Sequence, residues 1–387
     1  MYHTVYILRK VLFLIVLMNG YLSFQIAAQE VEPWRKGIVV DEFLFDTAPF
    51  PSCHSATITE TPTGLVAAFF GGTRERNPDV EIYVSRHVDG DWLPPVSAAN
   101  GIVNDTLRLP TWNPVLYQIP GGALQLYYKV GPKPSEWWGM LKTSDDGGKT
   151  WSAAIKLPNG YIGPVKNKPV LLDNENLIAP SSTEGNGWRI HHEVTSDFGV
   201  TWRKIGPLEK GDDNLDAIQP SILNHGKGKL QLLARSRNRA LVQAWSDDDG
   251  ETWTSLEKSD LPNNNSGTDA VTMRDGRHAL VYNHVLPPGD LAKGPRTPLN
   301  LSISKDGKNW HAALILEDSP ISQYSYPSII QTSDGLLHVV YTWRRERIKH
   351  VVVDPAELKL KKIKKGVWPK LKNYTPPTVT VGEPEEV

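Results

Sequence analysis

The sequence predicts an all-β fold, a β-propeller with six blades. Three observations predict it: a short turn motif recurs along the chain, a tryptophan ends each copy, and six pairs of apolar strands joined by turns accompany the motif. The composition agrees, since 31 Gly, 30 Pro and 13 Trp in 387 residues indicate many tight turns around a repeated aromatic. Self-similarity at a regular interval is the sequence signature of a repeat architecture.

The turn motif has the pattern Ser-x-Asp-x-Gly-x-Thr-Trp. Its copies are 144–151, 195–202 with Thr in place of Ser, 246–253, 304–310 with one residue fewer, and a degenerate copy at 85–92. The tryptophans are spaced 59, 51, 51 and 57 residues apart, which suits one four-stranded blade per repeat. The Asp caps backbone N–H groups of the turn, the Gly adopts positive φ and the Trp packs between neighbouring sheets. The motif is therefore interpreted as a structural device and is given little weight as chemistry.

The strand pairs span 56–70, 115–129, 170–180, 221–236, 270–283 and 328–343. No turn motif follows the sixth pair. We therefore expect the N-terminal strand over 37–45 to complete the sixth blade, which closes the ring and removes free sheet edges. A seventh blade in the divergent N-terminal segment is the alternative.

The N-terminus has the features of an export signal. Arg9 and Lys10 precede the apolar run 11–24, and the small residues Ala27 and Ala28 mark a cleavage site. This predicts a signal peptide over 1–28 and a single propeller domain over 29–387 with a Pro-rich tail from about residue 373. The mature protein is expected to be a monomer outside the membrane, in the periplasm or the extracellular space.

Charge and motif content exclude several classes of protein. There are 42 basic and 43 acidic residues with no long basic block, so no nucleic-acid partner is predicted. The single cysteine, Cys53, allows no intramolecular disulfide, and no phosphate loop, His-Glu-x-x-His pattern or cysteine cluster is present. His191 and His192 are adjacent in a strand and point to opposite faces, so they cannot bind one metal together. No metal and no cofactor are predicted.

A site is expected at the face opposite the turn motifs, here called the mouth. In each blade the first strand starts there, the second ends there and the third starts there. The starts of the first strands are His54, Asn113, Lys168, Gln219, Asp269 and Tyr326. The other positions add mainly cations and histidines, among them Arg74, Lys129, Arg235, Arg237, Asn283, His284, Arg344, Arg345, Arg189, His192 and Arg239. Polar side chains also line a water-filled central tunnel, but this excess of cations indicates an anionic ligand such as a carboxylate.

The motif resembles that of the BNR-repeat, sialidase-like propellers over residues 37–355. Tyr326 and Arg235 match the sialidase tyrosine of the last blade and an arginine of its carboxylate-binding triad, and Asp79 lies in the loop that would carry the acid. The first strand differs, because sialidases open it with Arg-Ile-Pro and this chain has His54-Ser55-Ala56. An imidazole therefore stands where a triad arginine is expected.

Propellers of this kind also include ulvan lyases, rhamnose-glucuronate lyases and an oligosaccharide dehydratase, and this resemblance implies His and Tyr moving protons beside arginines. We therefore predict β-elimination, by a lyase or a dehydratase, on glucuronate-containing oligosaccharides. His54 and Tyr326 would be base and acid in either order, with His192 as a second proton-transfer candidate. The predicted substrate-binding residues are Arg74, Asn113, Lys168, Gln219, Arg235, Arg237, Asn283 and Arg344. The alternatives are a sialidase-type glycoside hydrolase with Tyr326 as nucleophile and a propeller that binds an acidic glycan without catalysis.

Overall fold

The computed structural model describes residues 33–321, 323–370 and 374–375. The predicted signal peptide and most of the Pro-rich tail lie outside this range. In these described ranges the regular structure is all β apart from one 3-10 helix, Pro33–Arg35. Among the described residues, no helix has the length and apolar character needed to cross a membrane.

The strands form six antiparallel blades and one small hairpin. The N-terminal strand is β1 (Ile38–Phe43). The first blade contains β2 (Ser52–Thr61), β3 (Gly64–Gly72), β4 (Glu81–Val88), β5 (Asp91–Trp92) and β6 (Val96–Ala99), and the hairpin β7 (Ile102–Asn104) and β8 (Leu107–Arg108) follows it. The second contains β9 (Thr111–Gln118), β10 (Leu124–Val130), β11 (Trp138–Ser144) and β12 (Ile155–Lys156), and the third β13 (Val170–Leu171), β14 (Leu177–Thr183), β15 (Arg189–Thr195) and β16 (Arg203–Ile205).

The remaining blades complete the ring. The fourth contains β17 (Ala217–Asn224), β18 (Leu230–Ser236), β19 (Ala240–Ser246) and β20 (Glu257–Pro262). The fifth contains β21 (Asp269–Thr272), β22 (His278–Tyr282), β23 (Leu299–Ser304) and β24 (Trp310–Glu317), with β28 (Lys361–Lys362) added to its outer edge. The sixth contains β25 (Tyr324–Gln331), β26 (Leu337–Trp343) and β27 (Arg347–Val353).

The sixth blade takes its outer strand from the N-terminus. Strand β1 pairs antiparallel with β27, with Glu42 opposite His350 and Phe43 opposite Lys349. The predicted ring closure and the count of six blades are confirmed, and in the described part of the chain the segment before β2 forms this strand and no seventh blade.

The apolar core is divided into layers, each between adjacent blades. The turn motifs stabilise these layers through hydrogen bonds within each turn and through a Trp that packs on the neighbouring blade. In the second blade, the Asp146 carboxylate accepts hydrogen bonds from the Thr150 backbone N–H at 2.9 Å and the Thr150 hydroxyl at 2.6 Å. Trp202, which ends the motif of the third blade, packs against Tyr127 of the second at a ring-centroid distance of 6.1 Å. The predicted structural role of the motif is confirmed.

Candidate functional site

The inner strands share an irregularity at the mouth. In four blades, the residue that follows a paired position has positive φ and leaves the ladder, and pairing resumes two residues later. These residues are Ser55 (58°), Asn113 (36°), Gln219 (56°) and Tyr326 (52°). Non-glycine residues rarely adopt this conformation, and such strain clusters at functional sites. The equivalent of Tyr326 in the first blade is therefore Ser55, and His54 precedes it by one residue.

Tyr326 lies at the centre of the site. Its hydroxyl is hydrogen-bonded by Arg235 Nη1, and the same nitrogen donates to Gln219 Oε1 at 3.1 Å. Arg235 is 7% exposed and Tyr326 is 9% exposed. The three predicted residues Gln219, Arg235 and Tyr326 are thus brought together across the ring, from the fourth blade to the sixth.

The His54 imidazole packs on Tyr326. The two ring centroids are 4.2 Å apart and the rings are tilted by 47°. His54 Nδ1 lies 2.8 Å from Thr342 Oγ1, which also accepts the Ser55 backbone N–H at 3.2 Å, so the imidazole orientation is fixed. Burial lowers the pKa of His54 well below its ordinary value, and the charges of Arg345, Arg296, Arg235 and Lys166 lower it further. His54 is therefore neutral at physiological pH.

Lys166 is a central residue that the sequence analysis missed. It is 1% exposed, has a φ of 82°, and donates to Asn167 Oδ1 at 2.7 Å, Thr268 O at 2.8 Å and Pro327 O at 2.6 Å. Its Nζ lies 5.8 Å from the Tyr326 ring centroid. Burial lowers the pKa of Lys166 to about 7, although the charge of Asp269 opposes this. The side chain ties the third, fifth and sixth blades together directly beside the tyrosine.

Gly267 leaves the space that Lys166 and Tyr326 occupy. A Cβ placed on Gly267 would lie 3.0 Å from Lys166 Cε and 3.2 Å from Tyr326 Cδ2. Such a contact is tighter than ordinary van der Waals packing, so any side chain here would move one of its two neighbours. The glycine is a steric requirement of the site.

Lys168, predicted to bind substrate, is half-buried and forms an ion pair with the buried Asp269, which joins the third and fifth blades. Lys168 Nζ donates to Asp269 Oδ2 at 2.7 Å, and the same carboxylate accepts hydrogen bonds from the Ser221 hydroxyl and the Ile329 backbone N–H, each at 2.9 Å. In three other blades the residue with positive φ comes directly before a proline. In the third blade Lys168 comes before the proline, but the residue with positive φ is Lys166. The sequence analysis named Lys168 as the start of the first strand of this blade, whereas the residue with positive φ lies two positions earlier.

The positive charge around Tyr326 comes partly from other arginines than those predicted. Arg296, in the loop before β23, places its Cζ 5.4 Å from the Tyr326 ring centroid and donates to Gln323 Oε1 at 2.9 Å. Arg345 forms an ion pair with Glu75 and contributes to the lowered pKa of His54. Its neighbour Arg344, predicted to bind substrate, lies against the Trp343 ring, and its Nε lies 3.6 Å from Glu346 Oε1.

Four further predicted residues lie outside this cluster or serve the fold. Both ring nitrogens of His192 are buried without a hydrogen-bond partner, and its ring packs 4.7 Å from that of Trp253, so the predicted proton-transfer role does not fit its position. Burial lowers its pKa to about 3.

Asn283 donates to Pro298 O and Tyr324 O at 2.8 and 3.0 Å and holds the start of β25. Arg74 is exposed in the loop after β3, and Asn113 is buried at its irregular position.

Arg237, the remaining predicted arginine, packs on the Trp188 ring. Trp188 is 4% exposed, and the Cζ atoms of Arg235 and Arg237 lie 4.7 and 4.4 Å from its ring centroid. Within residues 33–321, 323–370 and 374–375, no group of three or more His, Cys, Asp and Glu side chains is arranged to hold a metal ion.

The ring of six blades, the turn motifs and a tyrosine bound by arginine at the mouth define a β-propeller of the sialidase type. The chain belongs to the family described as BNR repeat-like domain, which matches residues 63–339. No curated protein matches the sequence.

Solved structures show the same fold at low sequence identity. A protein of unknown function from Dyadobacter fermentans DSM 18053 matches with a TM-score of 0.67 and 18% identity over 84% of this chain and 100% of its own. The Hadza microbial sialidase Hz136 matches with a TM-score of 0.67 and 16% identity, over 83% and 69%. The Penicillium chrysogenum α-L-arabinanase complexed with arabinobiose matches with a TM-score of 0.60 and 19% identity, over 83% and 99%.

Proposed function

We propose that the protein is a carbohydrate-active enzyme and that it catalyses β-elimination on glucuronate-containing oligosaccharides. Two of the similar structures bear the names of glycan-acting enzymes, a sialidase and an α-L-arabinanase, which supports the general class. The observation that carries the specific reaction is the His54 imidazole packed on Tyr326, whose hydroxyl is held by Arg235, among cations that lower the pKa of His54. This pairs a base with an acid among cations that suit a carboxylate.

The lowered pKa of His54 supports one order of the two roles that the sequence left open. A neutral imidazole is ready to accept a proton and has no acidic proton of an imidazolium to give. His54 is therefore the base that removes the C5 proton of the uronate, and Tyr326 is the acid. The C5–H electrons form the C4=C5 double bond, the C4–O bond breaks, and the departing oxygen takes the Tyr326 proton. A sugar oxygen leaves in a lyase and water leaves in a dehydratase.

The cations have two tasks in this reaction. A substrate carboxylate beside Arg235 and Arg296 is stabilised as negative charge spreads onto it from C5. The bound carboxylate also offsets the positive charges that lower the pKa of His54, so that substrate binding makes the imidazole a stronger base. Both effects need the arginines close to Tyr326 and His54, where the structure has them.

A sialidase-type hydrolase is the second candidate, and the sialidase among the similar structures favours it. In that reaction Tyr326 would be the nucleophile and would need a base to take its proton. Among the described residues, the Tyr326 hydroxyl is hydrogen-bonded to the Arg235 guanidinium, which also donates to the Gln219 amide oxygen. Neither group accepts a proton from a tyrosine. His54 contacts the Tyr326 ring, and its hydrogen bond is to Thr342 and not to the Tyr326 hydroxyl, so these contacts favour elimination.

The experiment that separates the candidates is incubation of the purified protein with glucuronate-containing oligosaccharides and, separately, with a sialoside. Elimination creates a double bond conjugated to the carboxylate, which is detected by its ultraviolet absorbance and by a product mass that lacks added water. Hydrolysis adds water and creates no double bond. Release of free sialic acid without this absorbance would contradict the proposal, and binding without any turnover would leave the non-catalytic propeller.

We also propose that the protein is exported, on the strength of the charged and apolar pattern over residues 1–28. The mature N-terminus is expected near Gln29. Mass spectrometry of the protein recovered outside the cytoplasm tests this, and an intact N-terminus on that material would contradict cleavage at this point.

A further inference from the structure

Trp188 and Arg237 form a stacked pair at the rim of the site, between the third and fourth blades. Trp188 precedes β15, and Arg237 follows β18. The Arg237 Cζ lies 4.4 Å from the indole centroid, which is the geometry of a cation–π contact. Stacking on the indole restricts the guanidinium, so less conformational entropy is lost when it binds a ligand.

The two arginines on Trp188 differ in what they can still bind. Arg235 is buried and donates to Gln219 and Tyr326. Arg237 is exposed, and its guanidinium has no hydrogen bond or ion pair with any residue that the structure describes. Asp216 lies nearby, since its backbone oxygen accepts a hydrogen bond from the Arg237 backbone N–H at 2.9 Å. The Asp216 carboxylate, however, is paired with Lys210 Nζ at 2.5 Å. The Arg237 guanidinium is therefore oriented but available to an external anion.

Both arginines contact one indole, so the distance between their Cζ atoms cannot exceed the sum of 4.7 and 4.4 Å. Neighbouring sugars of one oligosaccharide can bridge such a span. The buried arginine serves the bottom of the site beside Tyr326, and the exposed one serves its rim. Arg237 thus differs from the shared carboxylate clamp that the sequence predicts for both residues.

We propose that Arg237, held on Trp188, is a second anion subsite that binds an oxyanion, a sulfate ester or a carboxylate, on the sugar next to the uronate that reacts. The inference rests on the proposed function and names its substrate class, an oligosaccharide with at least two anionic groups. A planar guanidinium fork matches the paired oxygens of such groups.

The test measures binding without turnover. Calorimetric titrations use the Tyr326→Phe protein and three probes: a glucuronate disaccharide with no other charge, the same disaccharide with a sulfate ester on the neighbouring sugar, and a disaccharide of two uronates. Arg237→Gln in this background should weaken binding of at least one doubly charged probe about tenfold and leave the singly charged probe nearly unchanged. The probe that responds identifies the anion.

Arg203→Gln is the matched control, because Arg203 is exposed on the outer strand β16, away from the mouth, and its loss changes net charge equally. Equal weakening of all three probes by Arg237→Gln, no weakening, or the same loss in the Arg203 control would overturn the subsite. Wild-type protein that eliminates from no uronate would refute the proposed function and leave the binding result valid. An active wild type with an unresponsive Arg237→Gln would refute the subsite alone.

Discussion

The two faces of the propeller hold their charged groups in different ways. On the motif face each carboxylate is fixed by its own turn: Asp248 accepts from the Thr252 backbone N–H at 2.9 Å and the Thr252 hydroxyl at 2.6 Å, four residues away. At the mouth, Arg235 reaches Tyr326 over 91 positions of sequence and Lys166 reaches Pro327 over 161. The first face is assembled locally, while the second exists only once the ring has closed.

Because of this difference, we expect substitutions on the motif face to change the stability of the fold and substitutions at the mouth to change the reaction. Loss of one motif carboxylate should affect one turn, while loss of one group at the mouth changes the electrostatics of several others, because the pKa of His54 depends on four cations. Four variants test whether the faces are independent in this way.

The largest effect is expected for His54→Ala, which removes the proposed base. The rate constant kcat should fall by roughly 100- to 10,000-fold, the usual contribution of general-base catalysis. His311→Ala, in the outer strand β24 of the fifth blade, is the control and should retain activity. Steady-state kinetics with a glucuronate oligosaccharide and a thermal melt measure both properties. A fully active, folded His54→Ala protein would remove His54 from the mechanism.

The pH dependence of kcat/KM should show the neutral state of His54. Because burial and the neighbouring cations lower its pKa, the acid limb of the profile should lie below the ordinary histidine value of about 6.5. Arg345→Gln removes the charge that contributes most after burial and should move this limb to higher pH. Arg347→Gln, which changes net charge equally but does not contribute to the His54 shift, should leave the limb in place, and a limb unmoved by Arg345→Gln would contradict the coupling.

A smaller effect is expected for Gly267→Ala. The added Cβ would crowd Lys166 Cε and the Tyr326 ring at 3.0 and 3.2 Å, so kcat should fall about tenfold as the acid is misplaced. Gly185→Ala is the matched control, since the first atom its Cβ would meet is 3.8 Å away. Wild-type kcat in Gly267→Ala would show that the position of Tyr326 is not sterically set.

The smallest effect on the reaction is expected for Asp197→Asn on the motif face. Burial raises the pKa of Asp197, but hydrogen bonds from Thr201 and Thr195 outweigh it and hold the pKa at about 2. The variant should lose about 1 kcal/mol of stability at neutral pH, as for other lost caps, and keep wild-type kcat. Since the folded pKa is depressed, the contribution of the carboxylate is present above about pH 4 and is lost towards pH 2. Chemical denaturation between these values should show the deficit shrinking, and a changed kcat would mean that the faces are coupled.

The sequence predicted the propeller because its signals are local. Each motif lies within eight residues, and its Trp spacing reports the blade length directly. The closure by β1 was also predictable, since the sixth strand pair lacked a motif. The sequence also indicated His54, Gln219, Arg235 and Tyr326, which the structure brings together, because strand starts and ends mark the mouth.

The missed residues depend on geometry that a single strand does not encode. Lys166 and Lys168 flank Asn167, and only the irregularity of the inner strand decides which of them reaches Tyr326. Strand alternation placed His191 and His192 on opposite faces but could not tell which face met the neighbouring blade. Arg296 lies in a long loop where no strand pattern applies, and pairs of adjacent arginines such as Arg344 and Arg345 are resolved only by their turn.

Because β1 supplies the last strand of the ring, residues near the start of the described chain hold residues near its end in place. Glu42 accepts a hydrogen bond from the Trp92 indole at 3.1 Å and lies 2.9 Å from His350 Nδ1, joining the first and sixth blades. A chain without β1 would present β27, with its apolar run from Val351 to Val353, as an open edge. Such an edge is a template for a strand from another copy, so a truncated protein would be expected to exchange strands or aggregate before it lost its individual blades.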